Sequence, residues 1–106
     1  MKVGVLGATG MVGQHFVKFL SGHPWFELAW LGASDRSAGK PYRDATTWRL
    51  SGVMPPEVRD MMVAECKPQN GAPKLMFSAT DASVATEIEQ AFAKAGHTIV
   101  SNARNH

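Results

Sequence analysis

The stretch Lys2-Val3-Gly4-Val5-Leu6-Gly7-Ala8-Thr9-Gly10-Met11-Val12-Gly13-Gln14 decides how this chain is read. Residues 2–6 are a short apolar run bounded by glycine, as in a parallel strand buried on both faces. It runs straight into Gly7-x-x-Gly10-x-x-Gly13, and from Met11 to Leu20 the residues Met11, Val12, Phe16, Val17, Phe19 and Leu20 recur at helical spacing. In such a turn one glycine permits the tight bend, one lets backbone approach a pyrophosphate, and one lets helix and strand pack closely. Amides of the first helical turn and the positive end of the helix dipole then face the anion. The spacing departs from Gly-x-Gly-x-x-Gly, and a glycine triplet alone says little. The strand before it and the helix after it supply the missing context. The contacts expected are Gly7, Thr9, Gly10, Met11, Val12 and Gly13. A glycine-rich turn with no ligand is the plainer alternative.

Outward from this turn, Gly22 and Pro24 stop the helix and Phe26–Leu31 reads as a second strand. Residues 2–31 therefore have the order and length of a βαβ crossover. From Gly32 to Glu57 no period is sustained, which predicts a long loop with one helical turn, of the kind usually kept for function. Val58–Cys66 reads as a third strand, Lys67–Pro73 as a turn-rich connection, and Lys74–Ser78 as a fourth strand. Ser83–Ala95 reads as a helix capped by Asp81 or Ser83, with Val84, Ile88 and Phe92 on one face and Gly96 at its end. His97–Ser101 is the fifth strand. The fold class expected is α/β, a Rossmann-type parallel sheet with flanking helices, apparently truncated, because nothing after Ser101 closes a core.

The end of the second strand selects the dinucleotide. An Asp or Glu there would hold the ribose hydroxyls of NAD. Here the sequence continues Gly32-Ala33-Ser34-Asp35-Arg36-Ser37-Ala38-Gly39-Lys40. Arg36, with the hydroxyls of Ser34 and Ser37 and nearby Lys40, suits a 2′-phosphate through charge-assisted hydrogen bonds, so NADP is favoured over NAD. Asp35 must then face solvent or a cation. Ligands of open parallel sheets sit beyond the carboxyl ends of the strands. That adds Ser78 and Ala79 after the fourth strand and Asn102 after the fifth, although Ser78–Asp81 could equally serve only to cap a helix.

Composition excludes several classes. With 106 residues, 44% of them hydrophobic and 19% charged, the chain is one small folded domain. Its net charge of +2 is scattered, with no basic block for nucleic acid or an anionic membrane. No signal-like segment or membrane-spanning run is present, which reads as cytoplasmic. The single cysteine, Cys66, follows Glu65 at a strand end with no base beside it, so it is expected to be structural. His15, His23, His97 and His106 show no metal-ligand spacing, and Trp25, Trp30 and Trp48 read as packing residues.

Taken together, Gly-Ala-Thr-Gly-Met-Val-Gly-Gln (7–14), Ala-Ser-Asp-Arg-Ser-Ala-Gly-Lys (33–40), Val-Ala-Glu-Cys-Lys-Pro (63–68), Met-Phe-Ser-Ala (76–79) and Ser-Asn-Ala-Arg-Asn-His (101–106) resemble aspartate-semialdehyde dehydrogenase, in its archaeal and fungal branch. The resemblance covers the whole chain. It implies reduction of L-aspartyl 4-phosphate to the semialdehyde with NADPH, on the route to lysine, methionine, threonine and isoleucine. It also implies a small-molecule substrate, a homo-oligomeric parent (dimer or tetramer), a cysteine nucleophile and a histidine acid–base. Those catalytic groups lie beyond His106 in the family, and Cys66 does not match the nucleophile. Residues 1–106 are therefore expected to be the N-terminal NADP-binding part of a longer enzyme, inactive alone and prone to self-association. Sibling reductases acting on N-acetyl-glutamyl phosphate or malonyl-CoA, and a non-enzymatic NADP(H)-sensing module, share the same turn.

Overall fold

The computed structural model describes residues 1–33, 37–50, 52–67, 72–80 and 82–101, with the side chains of all but 82–86 and 101. The elements in order are β1 (Lys2–Leu6), α1 (Met11–Leu20), β2 (Glu27–Ala33), α2 (Tyr42–Ala45), α3 (Pro56–Arg59), β3 (Val63–Glu65), β4 (Leu75–Ser78), α4 (Ala82–Lys94) and β5 (Thr98–Ser101). They build one five-stranded sheet in the order β3-β2-β1-β4-β5. Every neighbouring pair of strands is parallel. The chain therefore winds outward from β1 in both directions. The carboxyl ends of β1 and β4 flank the point where the winding reverses, which is where open α/β sheets place ligands.

Alternation along β1 divides the core. Val3 and Val5 pack with Val17 and Leu20 of α1 and with Tyr42 and Val58, all buried. Leu6 faces the other way, against Met76 of β4 and Phe92 of α4, with Ile88 of α4 and Trp30 packed alongside. Helices thus cover both faces, which is why β1 reads as a continuous apolar run. The β1–β2 register slips between Val3 and Gly4, so that Val3 pairs with Leu28 and Gly4 with Trp30. That irregularity lets Leu28 and Leu31, an odd number of residues apart, join one core cluster while Trp30 joins the other. A side chain at Gly4 would come within 2.8 Å of the Met76 sulfur, so the bare backbone there makes room for Met76 and Trp30.

Several boundaries differ from the sequence expectation. The second strand runs later, to Ala33, and β1 accounts for this by pairing as far as Gly32. The expected third strand at 58–66 shrinks to Val63–Glu65. Val58 and Arg59 belong to α3, where Val58 is buried, because Pro55-Pro56 starts a helical turn. The 32–57 segment thus contributes to two short helices where one turn was expected. On α1, Gly13, Gln14, Val17 and Leu20 make the buried stripe, while Met11, Val12 and Phe19 are exposed. Trp25 is also no packing residue, being 76% exposed with its ring edge against His23. Helix α4 begins at Ala82, so Ser83 lies inside it, and Asp81 falls outside the described residues.

Candidate functional site

The turn between β1 and α1 is built by its three glycines, each under a different constraint. Gly7 sits at φ +76°, a left-handed conformation that side chains resist, and a Cβ there would lie 3.0 Å from the Ala79 backbone. Gly13 is the point of closest helix–strand packing. A Cβ there would stand 2.1 Å from the Gly7 carbonyl oxygen. Gly10 has ordinary backbone angles, φ −79° and ψ 173°, and a Cβ would meet only the Gly7 oxygen, at 3.8 Å. Its open side is where something other than protein can approach. The Gly7 and Ala8 amides donate to the Gly32 carbonyl at 2.8 and 2.9 Å, which anchors the turn to the end of β2.

Gly10 is the N-cap of α1 and has no side chain to close the helix end. The first turn carries no acidic residue either. Among the described residues, the amides of Thr9, Met11, Val12 and Gly13 donate to no protein acceptor. Four donors beside the positive end of a helix dipole suit an anion. The cradle therefore fits a pyrophosphate: free donors, no carboxylate, and a bare Cα at its mouth.

Behind the turn runs the segment from Ser37 to Arg49, part of the long loop expected from sequence to be functional, in which only Ser37 and Lys40 stood out as ligand contacts. The Tyr42 hydroxyl donates to the Ala8 carbonyl at 2.6 Å. The Thr46 hydroxyl donates to the Thr9 carbonyl at 2.9 Å. Buried Gln14 donates to Thr46 Oγ1 at 3.0 Å and to the Thr47 carbonyl at 2.9 Å, reaches the Thr9 carbonyl at 3.4 Å, and accepts from the Arg49 amide at 2.9 Å. Tyr42 is fully buried, and burial pushes its hydroxyl well above the usual tyrosine pKa, so it stays a donor. Only Gln14, a polar residue on the buried stripe of an amphipathic helix, could have signalled this network from sequence.

The other expected site residues divide into those that meet and those that do not. Ala79 joins the turn, its amide donating to the Leu6 carbonyl at 2.8 Å. Ser78 lies beside it but is fully buried, its hydroxyl 3.1 Å from that of Thr80, so it offers small bulk instead of a free hydroxyl. Ser37 stands on the segment behind the turn, with its hydroxyl 3.5 Å from the Ala45 carbonyl. Ser34, Arg36 and Asn102 lie outside the described residues. Cys66 packs against the Leu6–Met76–Phe92 cluster. Burial pushes its thiol up, a backbone hydrogen bond from Gly7 opposing this only in part, which favours the protonated thiol. Among the described residues no group of three or more His, Cys, Asp or Glu could hold a metal.

A parallel sheet in this order, with a glycine turn opening a helix beside its switch point, defines a Rossmann-type nucleotide-binding domain. The family described as semialdehyde dehydrogenase, NAD binding domain, matches residues 2–106. The chain belongs to that family. It is 53% identical to the aspartate-semialdehyde dehydrogenase of Schizosaccharomyces pombe, 50% to that of Candida albicans and 51% to that of Methanothermobacter thermautotrophicus. These alignments take in 99%, 99% and 97% of this chain but only 30%, 29% and 30% of the relatives. The chain thus spans less than a third of their length. The crystal structure of aspartate semialdehyde dehydrogenase with NADP from Candida albicans superposes with a TM-score of 0.93 at 51% identity, over 98% of this chain and 30% of that one. The Vibrio cholerae aspartate semialdehyde dehydrogenase II complexed with ASA shares the fold, with a TM-score of 0.69 at 22% identity. The fungal and archaeal resemblance read from the sequence is borne out. No helix among the described residues is long and apolar enough to cross a membrane.

Proposed function

We propose that this chain is the cofactor-binding part of an aspartate-semialdehyde dehydrogenase and that it takes NADP on the Gly7–Gly13 turn. The observation that carries this is the set of four undirected amides, Thr9, Met11, Val12 and Gly13, around the open side of Gly10. In this reading they hold the pyrophosphate, Ala79 and Ser78 leave room at the end of β4, and Asn102 offers an amide beyond β5. Ser34, Arg36 and Ser37 hold the 2′-phosphate. Bound NADPH supplies a hydride. The residues of this chain orient it and take no part in acyl transfer, so residues 1–106 alone should not turn substrate over. The whole enzyme would reduce L-aspartyl 4-phosphate to the semialdehyde, as a cytoplasmic homo-oligomer. The names of the relatives favour this substrate over N-acetyl-glutamyl phosphate or malonyl-CoA.

Titration calorimetry of the 106-residue chain tests the reading. NADPH is expected to bind at least about tenfold tighter than NADH, since charge-assisted hydrogen bonds are worth roughly 1.5–3 kcal/mol each. Arg36→Ala should remove most of that preference. Equal affinities in the unaltered chain would contradict the NADP assignment.

A further inference from the structure

We propose that Tyr42 and Thr46, braced by Gln14, are positioning residues that set which way the peptides of the glycine turn point. The proposal rests on the reading of that turn as a pyrophosphate cradle. A trans peptide directs its C=O and its N–H to opposite sides. The Ala8 carbonyl faces inward to the hydroxyl of fully buried Tyr42, so the Thr9 N–H of the same peptide faces away from the core. Thr9 is half-buried and Gly10 exposed, so this outward side is the one an anion can reach. Were the peptide between Ala8 and Thr9 to flip, it would present a carbonyl dipole to the phosphates in place of a donor. That flip turns about ψ of Ala8 and φ of Thr9, neither of them glycine, so the backbone itself resists it in part. The rest of the resistance comes from outside the turn.

Two donors supply it at adjacent carbonyls. Tyr42 holds the Ala8 oxygen at 2.6 Å, and Thr46 holds the Thr9 oxygen at 2.9 Å. Gln14 ties Thr46 down in turn, through its contacts at 3.0 Å to the Thr46 hydroxyl and 2.9 Å to the Thr47 carbonyl. Gln14 stands on the first turns of α1, so the helix whose amides would meet the anion also braces the clamp. The strap that carries both donors contains Ser37 as well, hydrogen-bonded within it to Ala45. Both halves of the dinucleotide would therefore lean on one segment, yet the clamp acts on the pyrophosphate half alone. That half is common to NADPH and NADH.

The test is calorimetric titration of the chain and its variants with NADPH and NADH, together with thermal melting. Tyr42→Phe keeps the ring and removes only the donor. It is expected to weaken both dinucleotides by about tenfold, the scale of one buried hydrogen bond left unmade, and to leave the NADPH:NADH ratio unchanged. Thr46→Val should act the same way, and Thr46→Ser, which restores the hydroxyl, should bind as the parent does. Arg36→Ala serves as the contrast, since it should alter the ratio. Unchanged affinity in Tyr42→Phe and Thr46→Val would overturn the proposal. So would a loss of affinity with a collapse of the ratio, which would mean that the whole strap had loosened. An unaltered chain that bound neither dinucleotide would overturn the underlying reading, and this proposal with it.

Discussion

The glycine turn at 7–13 and the strap at 37–49 reach the same pair of carbonyls by opposite means. The turn is shaped locally. Its bend follows from a left-handed φ at Gly7, and its closeness to the helix from the missing Cβ of Gly13, 2.1 Å from where the Gly7 oxygen stands. The strap acts at a distance, through side chains 34 and 37 residues along the chain from the carbonyls they hold. Removing side chains gives the turn its shape, and placing them in the strap fixes its direction. The difference separates two ways of damaging a ligand site: blocking its mouth and breaking its scaffold.

The sharpest break of this comparison is the same substitution made at two glycines of the turn. Gly13→Val forces a side chain into backbone and is expected to cost about 3 kcal/mol or more, lowering the melting temperature by over roughly 10 °C. Gly10→Val meets open space at permitted angles and should change stability by less than about 1 kcal/mol, yet weaken NADPH by at least about a hundredfold. Circular dichroism melts and calorimetry on both variants check this. Equal melting of the two variants would dissolve the distinction between packing glycine and ligand-facing glycine.

The same contrast explains what was legible in the sequence. Strand β1 and helix α1 could be bounded from residues alone because periodicity and the glycine spacing are local signals. Position 58 could not. Val58 looks like a strand residue, but Pro55 and Pro56 turn it into a helical one, and β3 starts only at Val63. Tyr42, Thr46 and Gln14 stayed invisible as a group because no period or short motif joins positions so far apart. Their meeting is a product of the fold. Trp25 misled for a related reason: its residue type says core, while its place in the bend before β2 leaves it exposed.

A smaller effect sharpens the strap's side of the comparison. Burial raises the Tyr42 hydroxyl above its ordinary value. The unfolded chain releases that proton first, near the ordinary tyrosine value of about 10, so it binds fewer protons than the fold at higher pH. The contribution is whole below that pH and declines as pH rises above it. Stability of the parent should therefore fall more steeply between about pH 10 and 11.5 than that of Tyr42→Phe, as denaturant melts would read. Parallel pH profiles would mean that the hydroxyl is not held in the interior.

The central claim is that an anionic diphosphate rests on main-chain amides, and amide chemical shifts report on it directly. In a ¹⁵N-labelled sample titrated with NADPH, Thr9, Met11, Val12 and Gly13 are predicted to show the largest changes in the chain. If those four signals stayed in place while residues of another surface moved, such as the cavity lined by Met1, His23, Trp25 and Glu27, the account would be contradicted.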